Sequence, residues 1–209
     1  MSRADANGLV QVWDPLIRIG HWVLVVAFAT AYLTEGEPEW LHAYAGYTIA
    51  AVVAGRVIWG FVGPRRARFT DFVTGPKRVV DYLRGLATGR STRHIGHSPA
   101  GGAMTVALLI MLALTTLTGM ATLAVDEGRG PLAGIVAEHS LPAGVYSDDS
   151  HAIRGDSDGE DGLKDLHELA ANATLALVFL HLAGVIVASL AHRENLVRAM
   201  INGRKRAFE

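Results

Sequence analysis

Four histidines set the chemistry of this sequence by where they fall. His167 and His181 stand fourteen residues apart in one apolar stretch. At ~100° per residue that is close to four full helical turns, so both imidazoles face the same way, ~21 Å apart along the axis. His21 opens another apolar stretch and His42 opens a third. If the stretches are antiparallel membrane helices, His21 falls at the depth of His181, and His42 at the depth of His167. Ionisable side chains inside a membrane are costly and mark function. Imidazole suits several metals. A zinc or di-iron centre, however, needs three or four protein ligands at one depth, and here each depth offers two histidines and no interior carboxylate, since Glu168 sits at the rim. Two axial nitrogens with an equatorial plane supplied from elsewhere describe a b-type haem. The expected ligand pairs are His21–His181 and His42–His167, holding two haem b groups.

Small residues lie beside these ligands: Gly20 adjoins His21, Gly46 follows His42 by four, and Gly184 follows His181 by three. They would let a flat macrocycle approach the helices, although glycine at helix interfaces is also ordinary in membranes. Arg18 precedes His21 by three, and Arg56 follows His42 by fourteen, the interval seen in the last helix. Both are candidates for pairing haem propionates, because a guanidinium matches a carboxylate bidentately. Their alternative is to snorkel to phosphate headgroups. His94, His97, His139, His151 and His192 read as surface residues, with His97 and His192 the two that could assist proton transfer to a quinone.

The elements that must position these groups are apolar blocks at about 15–34, 41–62, 104–125 and 167–190, in a chain of 209 residues of which half are hydrophobic. Each is near the ~20 residues that span a ~30 Å hydrocarbon core. The expected fold is therefore all-α, an integral membrane four-helix bundle forming one domain over 1–209. A cleaved leader is suggested by the small residues of AFATA, but Asp5 and Asp14 precede the block and cleavage would discard Arg18 and His21, so it is read as a membrane helix. The absence of cysteine excludes disulfides, thiolate metal sites, cysteine-ligated iron–sulfur clusters and covalently attached c-type haem.

Charge sets the expected orientation. Residues 63–103 carry eight Lys/Arg against two acids, and the tail adds Arg193, Arg198, Arg204, Lys205 and Arg206. Residues 34–40 carry three Glu and no base, and 126–166 carry ten acids against Arg129, Arg154 and Lys164. The positive-inside rule then puts both termini and the 63–103 connection in the cytoplasm, in a bacterial inner (plasma) membrane. Within that connection FTDFVTGPKRVVDYLRGL has the spacing of a short helix on the anionic leaflet, or of a solvated basic linker. GHSPAGG is a turn-rich approach to the third helix.

Several motifs together resemble the prokaryotic cytochrome b561 family, whose domain is shared with the b-type cytochrome subunit of nickel–iron hydrogenases. These are WDPLIRIGHW, LHAYAGY followed by GRVIWGFVGPRRARF, GHSPAGGAM, DLHELAANATLALVFLHLAGV and HRENLVRAMINGRKR, which cover nearly the whole chain outside 126–166. The resemblance implies four helices holding two b haems, with His21, His42, His167 and His181 as axial ligands. It also implies electron exchange between membrane quinone and a periplasmic or extrinsic redox partner.

The acidic 126–166 loop departs from that pattern. DSDGEDG faintly echoes a calcium loop, but Asp161 stands where the EF-hand needs glycine. The loop reads instead as a lip over the outer haem that steers a basic partner such as a periplasmic c-type cytochrome, or simply as a solvated connection. The partners expected are thus membrane lipid, quinone and a periplasmic c-type cytochrome or other redox protein. A homodimer is compatible with the sequence, and nothing in it points to nucleic acid. Quinol oxidoreductase activity, a non-catalytic anchor and conduit in a larger complex, and a haem-free metal or proton transporter remain as readings. The last would show broken helices or repeated halves.

Overall fold

The computed structural model describes residues 8–34, 37–135 and 157–207. Its frame is four long apolar helices: α1 (Pro15–Thr34), α2 (Glu39–Val62), α5 (Pro99–Glu127) and α6 (Ser157–Ala191). Each is long and apolar enough to cross a bilayer, and a helix satisfies its own backbone polar groups there. All four are continuous, unlike the interrupted helices expected of a transporter. Helix α1 packs on α2, α2 on α5, and α5 on α6. The core is small and aliphatic, built on Ala27, Ile49, Val53, Leu109 and Leu112. Large apolar side chains such as Leu33, Phe61, Ile110, Phe179 and Leu190 point outward, as they do where lipid is the solvent.

The helix starts are read locally. Asp14 Oδ1 accepts the backbone N–H groups of Leu16 and Ile17 at 3.0 and 3.2 Å, opening α1. Ser98 Oγ accepts from the Gly101 N–H at 3.1 Å with Pro99 behind it, opening α5 as the GHSPAGG stretch suggested. Helix α6 begins ten residues before the apolar block does, so the last part of the 126–166 segment is helix. Hydropathy located the membrane-crossing part and could not see polar turns continuing beyond it. From Ser157 onward the DSDGEDG stretch is helical. The rest of the acidic segment, residues 136–156 with His139 and His151, lies outside the described residues.

The two ends of the bundle differ. At the acidic end the helices are joined by ion pairs: Arg129 with Glu39 and Glu127, and Lys164 with Asp126. At the basic end the connection from α2 to α5 and the segments 8–14 and 192–207 form a cap. A 3₁₀ turn (Arg65–Ala67) leads to α3 (Phe69–Phe72) and, beyond a break ahead of Pro76, to the amphipathic α4 (Pro76–Ala87). The single short helix anticipated there is thus two. Phe69 and Phe72 press against Gly60 of α2 and Gly102 of α5, where a β-carbon would clash. After α6 the chain forms α7 (Leu196–Asn202), and two strands absent from the all-α expectation close the cap. These are β1 (Leu9–Gln11) and β2 (Arg204–Arg206), paired antiparallel with Val10 opposite Lys205.

A buried ionic knot ties this cap. Glu194 binds Arg93 through one oxygen and Lys205 through the other, the latter at 3.2 Å, and Arg93 also donates to the carbonyls of Arg206 and Ala207. The Lys205 and Glu194 side chains are only 5% and 9% exposed. Burial pushes the Glu194 carboxyl up, but Arg93 and Lys205 outweigh it and hold it below the usual carboxylate range. Breaking one member of such a group strands the others, at about 3–5 kcal/mol. Glu194→Gln is therefore expected to loosen the cap by about that much while the membrane helices persist. Hydrogen exchange at the β1–β2 amides is the measurement. Unchanged protection there would mean that the knot does not hold the tail.

Candidate cofactor site: two histidine pairs

The bundle brings the four histidines together as two pairs at different depths. The rings of His21 and His181 are 6.4 Å apart, centre to centre, at the basic end. Those of His42 and His167 are 6.1 Å apart at the acidic end. A metal–imidazole bond of ~2 Å on each side of one ion puts two ring centres ~6 Å apart. Both spacings fit that requirement. Among the described residues no group of three His, Asp or Glu gathers as a metal centre, so each site offers two nitrogen donors and leaves the remaining positions to a ligand that brings its own.

The acidic-end pair is held in a defined tautomer by the backbone. His42 Nδ1 lies 2.9 Å from the Ala31 carbonyl, and His167 Nδ1 lies 2.9 Å from that of Thr115, with Thr118 Oγ1 at 3.3 Å. A carbonyl only accepts, so each Nδ1 carries the proton and each Nε2 is left with its lone pair, the state a metal ligand needs. Each carbonyl also accepts a threonine hydroxyl, Ala31 O from Thr34 Oγ1 at 3.1 Å and Thr115 O from Thr118 Oγ1 at 3.0 Å, and a seam of threonines joins α5 to α6. Thr174, fully buried, has its hydroxyl 3.1 Å from that of Thr115 and donates to the Ala170 carbonyl. Gly119, one turn beyond Thr115, lies under the His167 ring: a β-carbon there would come within 2.8 Å of Cε1. The sequence reading missed Gly119, although the run TTLTG, small and polar at helical spacing, is the signal for a close helix interface.

The glycines singled out beside the ligands divide. A β-carbon on Gly20 would meet Val52 of α2 at 3.4 Å, so that glycine serves helix packing. Gly46 and Gly184 face no protein atom within 4 Å of an added β-carbon, so neither is needed for helix packing. Helix α6, which supplies one histidine to each pair, has only 6% of its apolar stretch buried in protein, against 17–22% for the other three.

The arginines also part company. Contacts between α1 and α2 (Trp59 with Asp14, Val52 with Gly20, His42 with Ala31) fix their register. That register sets Arg56 opposite Ile17 and Arg18, about one turn, ~6 Å, beyond His21 toward the basic end. The Arg56 guanidinium lies over Phe69 and Phe72, 5.2 and 5.7 Å from their ring centres. Arg18 turns instead to the cap, where its Nη1 adjoins Gly203, and it lines a largely apolar groove of ≈ 690 Å³ between α1 and α2.

The histidines assigned to the surface include one that is not there. His97 sits between Trp13 and Phe72, with ring centres 4.6 and 4.3 Å away, and its Nδ1 is sealed from solvent. His192 accompanies Tyr82, Nε2 to hydroxyl 3.2 Å, and His94 stacks edge-on to the same tyrosine.

The chain matches the family described as Prokaryotic cytochrome b561 over residues 12–203. It belongs to that family. Among curated proteins it is similar to the "Probable Ni/Fe-hydrogenase B-type cytochrome subunit" of Bradyrhizobium diazoefficiens, 24% identical over 98% of this chain and 89% of the relative. The proteins of the same description from Azotobacter vinelandii and Rhizobium leguminosarum bv. viciae are 25% and 24% identical. They cover 93% and 97% of this chain, and 87% and 94% of their own lengths. No solved structure matches the chain. Cytochrome b561 membership makes this a multi-pass membrane protein of electron transfer, and a b-type cytochrome family implies haem b.

Proposed function

We propose that this cytochrome b561 carries electrons across a bacterial inner membrane between quinone and a redox protein, using two b haems. One would be held by His21 and His181, the other by His42 and His167. The observation that carries the reading is the pair of imidazole spacings, 6.4 and 6.1 Å, at two depths of one bundle. The donor set fits: two neutral nitrogens per site, with the acidic-end tautomers fixed by backbone carbonyls. When bound, haem supplies a one-electron iron couple. The chain orients the ligand rings and holds both sites on the one rigid helix α6, which fixes their separation at ~21 Å. With the basic end inside, the orientation the positive-inside rule favours, the pair His42–His167 faces the periplasm.

A second reading is that the chain works only as membrane anchor and electron conduit of a larger complex. The description of its relatives as hydrogenase cytochrome subunits favours it, and the acidic 126–166 segment would then meet a basic partner surface, a hydrogenase or a periplasmic c-type cytochrome. Both readings share the haem sites. The test is a reduced-minus-oxidised spectrum with a haem-to-protein ratio on detergent-purified protein. Two low-spin b haems per chain are expected, one would mean that a histidine pair is wrongly assigned, and none, from cells able to supply haem, would overturn the reading. Quinol oxidation by the purified chain alone then separates an enzyme from a conduit.

A further inference from the structure

Five buried side-chain atoms among the described residues have no hydrogen-bond partner: Arg18 Nε, His21 Nδ1, Arg56 Nη1, Thr74 Oγ1 and His97 Nδ1. All belong to the basic end. Leaving a buried donor unsatisfied is costly, so their concentration in one place asks for a common partner. Two of them meet on one ring, and a third is close to that ring in sequence. Arg56 lies over Phe72 at 5.7 Å, His97 stacks on the same ring at 4.3 Å, and Thr74 follows Phe72 by two residues. The α1–α2 register puts Arg56 ~6 Å below His21, between the ligand pair and the cap.

The chemistry of the three selects the partner. A guanidinium and a hydroxyl donate, and His97 is an uncharged ring: burial, with Arg56 and Lys205 nearby, pushes it down to about 3. A neutral imidazole bearing its proton on Nδ1 donates as well. Donors around the Arg56 cation, closed in by Phe69, Phe72 and Trp13, suit a carboxylate. Asp14, which accepts from Trp59 Nε1 at 3.4 Å, is the acidic group facing Arg56 from the start of α1. We propose that Arg56, Thr74 and His97 form the seat for a propionate of the basic-end haem. The proposal rests on the two-haem reading above. It assigns His97, which reads as a loop residue in the sequence, to cofactor binding. It also separates Arg56 from Arg18, whose guanidinium is turned toward Gly203.

The experiment is a potentiometric titration of the purified full chain at fixed pH, following both haems. The basic-end haem is identified as the one lost in His181→Ala. His97→Phe keeps a flat ring between Trp13 and Phe72 and removes the donor. A propionate deprived of a donor keeps more of its negative charge and favours the ferric state. The basic-end midpoint is then expected to fall by the equivalent of about tenfold in the reduction equilibrium, 59 mV for one electron. His97→Gln, which retains an N–H donor, recovers most of that shift, and the other haem does not move. A role in packing alone predicts that His97→Phe leaves both midpoints in place, and that result overturns the proposal, as does a shift confined to the acidic-end haem. If the phenylalanine protein does not accumulate, Thr74→Val reads the same midpoint with the same two outcomes. A wild-type protein with fewer than two haems would instead sink the reading on which the proposal stands, so the two failures are told apart.

Discussion

His181→Ala is expected to yield a protein that retains one haem and loses the other. The His21 and His181 rings face each other across 6.4 Å, and with His181 gone the basic-end site keeps a single protein nitrogen. The acidic-end site shares α6 but none of its supports. His42 is fixed by Ala31 and His167 by Thr115, through bonds of 2.9 Å that lie away from the substituted position. A helix bonded at every turn does not transmit the loss of one side chain over ~21 Å. The haem-to-protein ratio should drop by half, and the surviving species should remain low-spin. Two spectrally intact haems in this variant would show that the pairs are assigned wrongly. Loss of both would mean that the two sites assemble as a unit.

The four helices and the histidine pairs were legible in the sequence because the membrane constrains both. Hydrocarbon thickness sets the length of each apolar block, and an interval of fourteen residues on a helix fixes a shared face whatever surrounds it. The basic-end cap was not legible. His97 lies in a turn-rich stretch and is buried only because Trp13, from the N-terminal segment, and Phe72, from α3, arrive on either side of it. Arg18 and Arg56 looked alike in spacing, yet the C-terminal segment, through Gly203, draws Arg18 toward the cap while two phenylalanines claim Arg56. The strands β1 and β2 have three residues each and no alternation to announce them. What holds them is the ionic knot at Glu194, a contact between positions about a hundred residues apart in sequence. Local pattern does not encode such meetings.

Gly119 should show the opposite selectivity to His181. A β-carbon there would stand 2.8 Å from His167 Cε1 and 3.1 Å from Nδ1, well inside ordinary contact. The ring cannot slide away, because its Nδ1 is held by Thr115 O at 2.9 Å. Moving it would leave a buried N–H unpaired at about 1–3 kcal/mol. Gly119→Leu is therefore expected to lose the acidic-end haem and keep the basic-end one, the complement of His181→Ala. Gly119→Ala, whose clash a shift of some tenths of an ångström relieves, should keep both haems with a displaced midpoint for one. Helix propensity works the other way, since alanine stabilises a helix interior by roughly 0.5–1 kcal/mol over glycine. A loss therefore cannot be laid to a weakened α5. Gly55→Ala supplies the control: its added β-carbon meets nothing within 4 Å, so both haems should remain and the helix should if anything be firmer. If Gly119→Leu kept two haems at unchanged midpoints, His167 would have room the structure denies it, and the acidic-end site would have to be rebuilt around a different ring position.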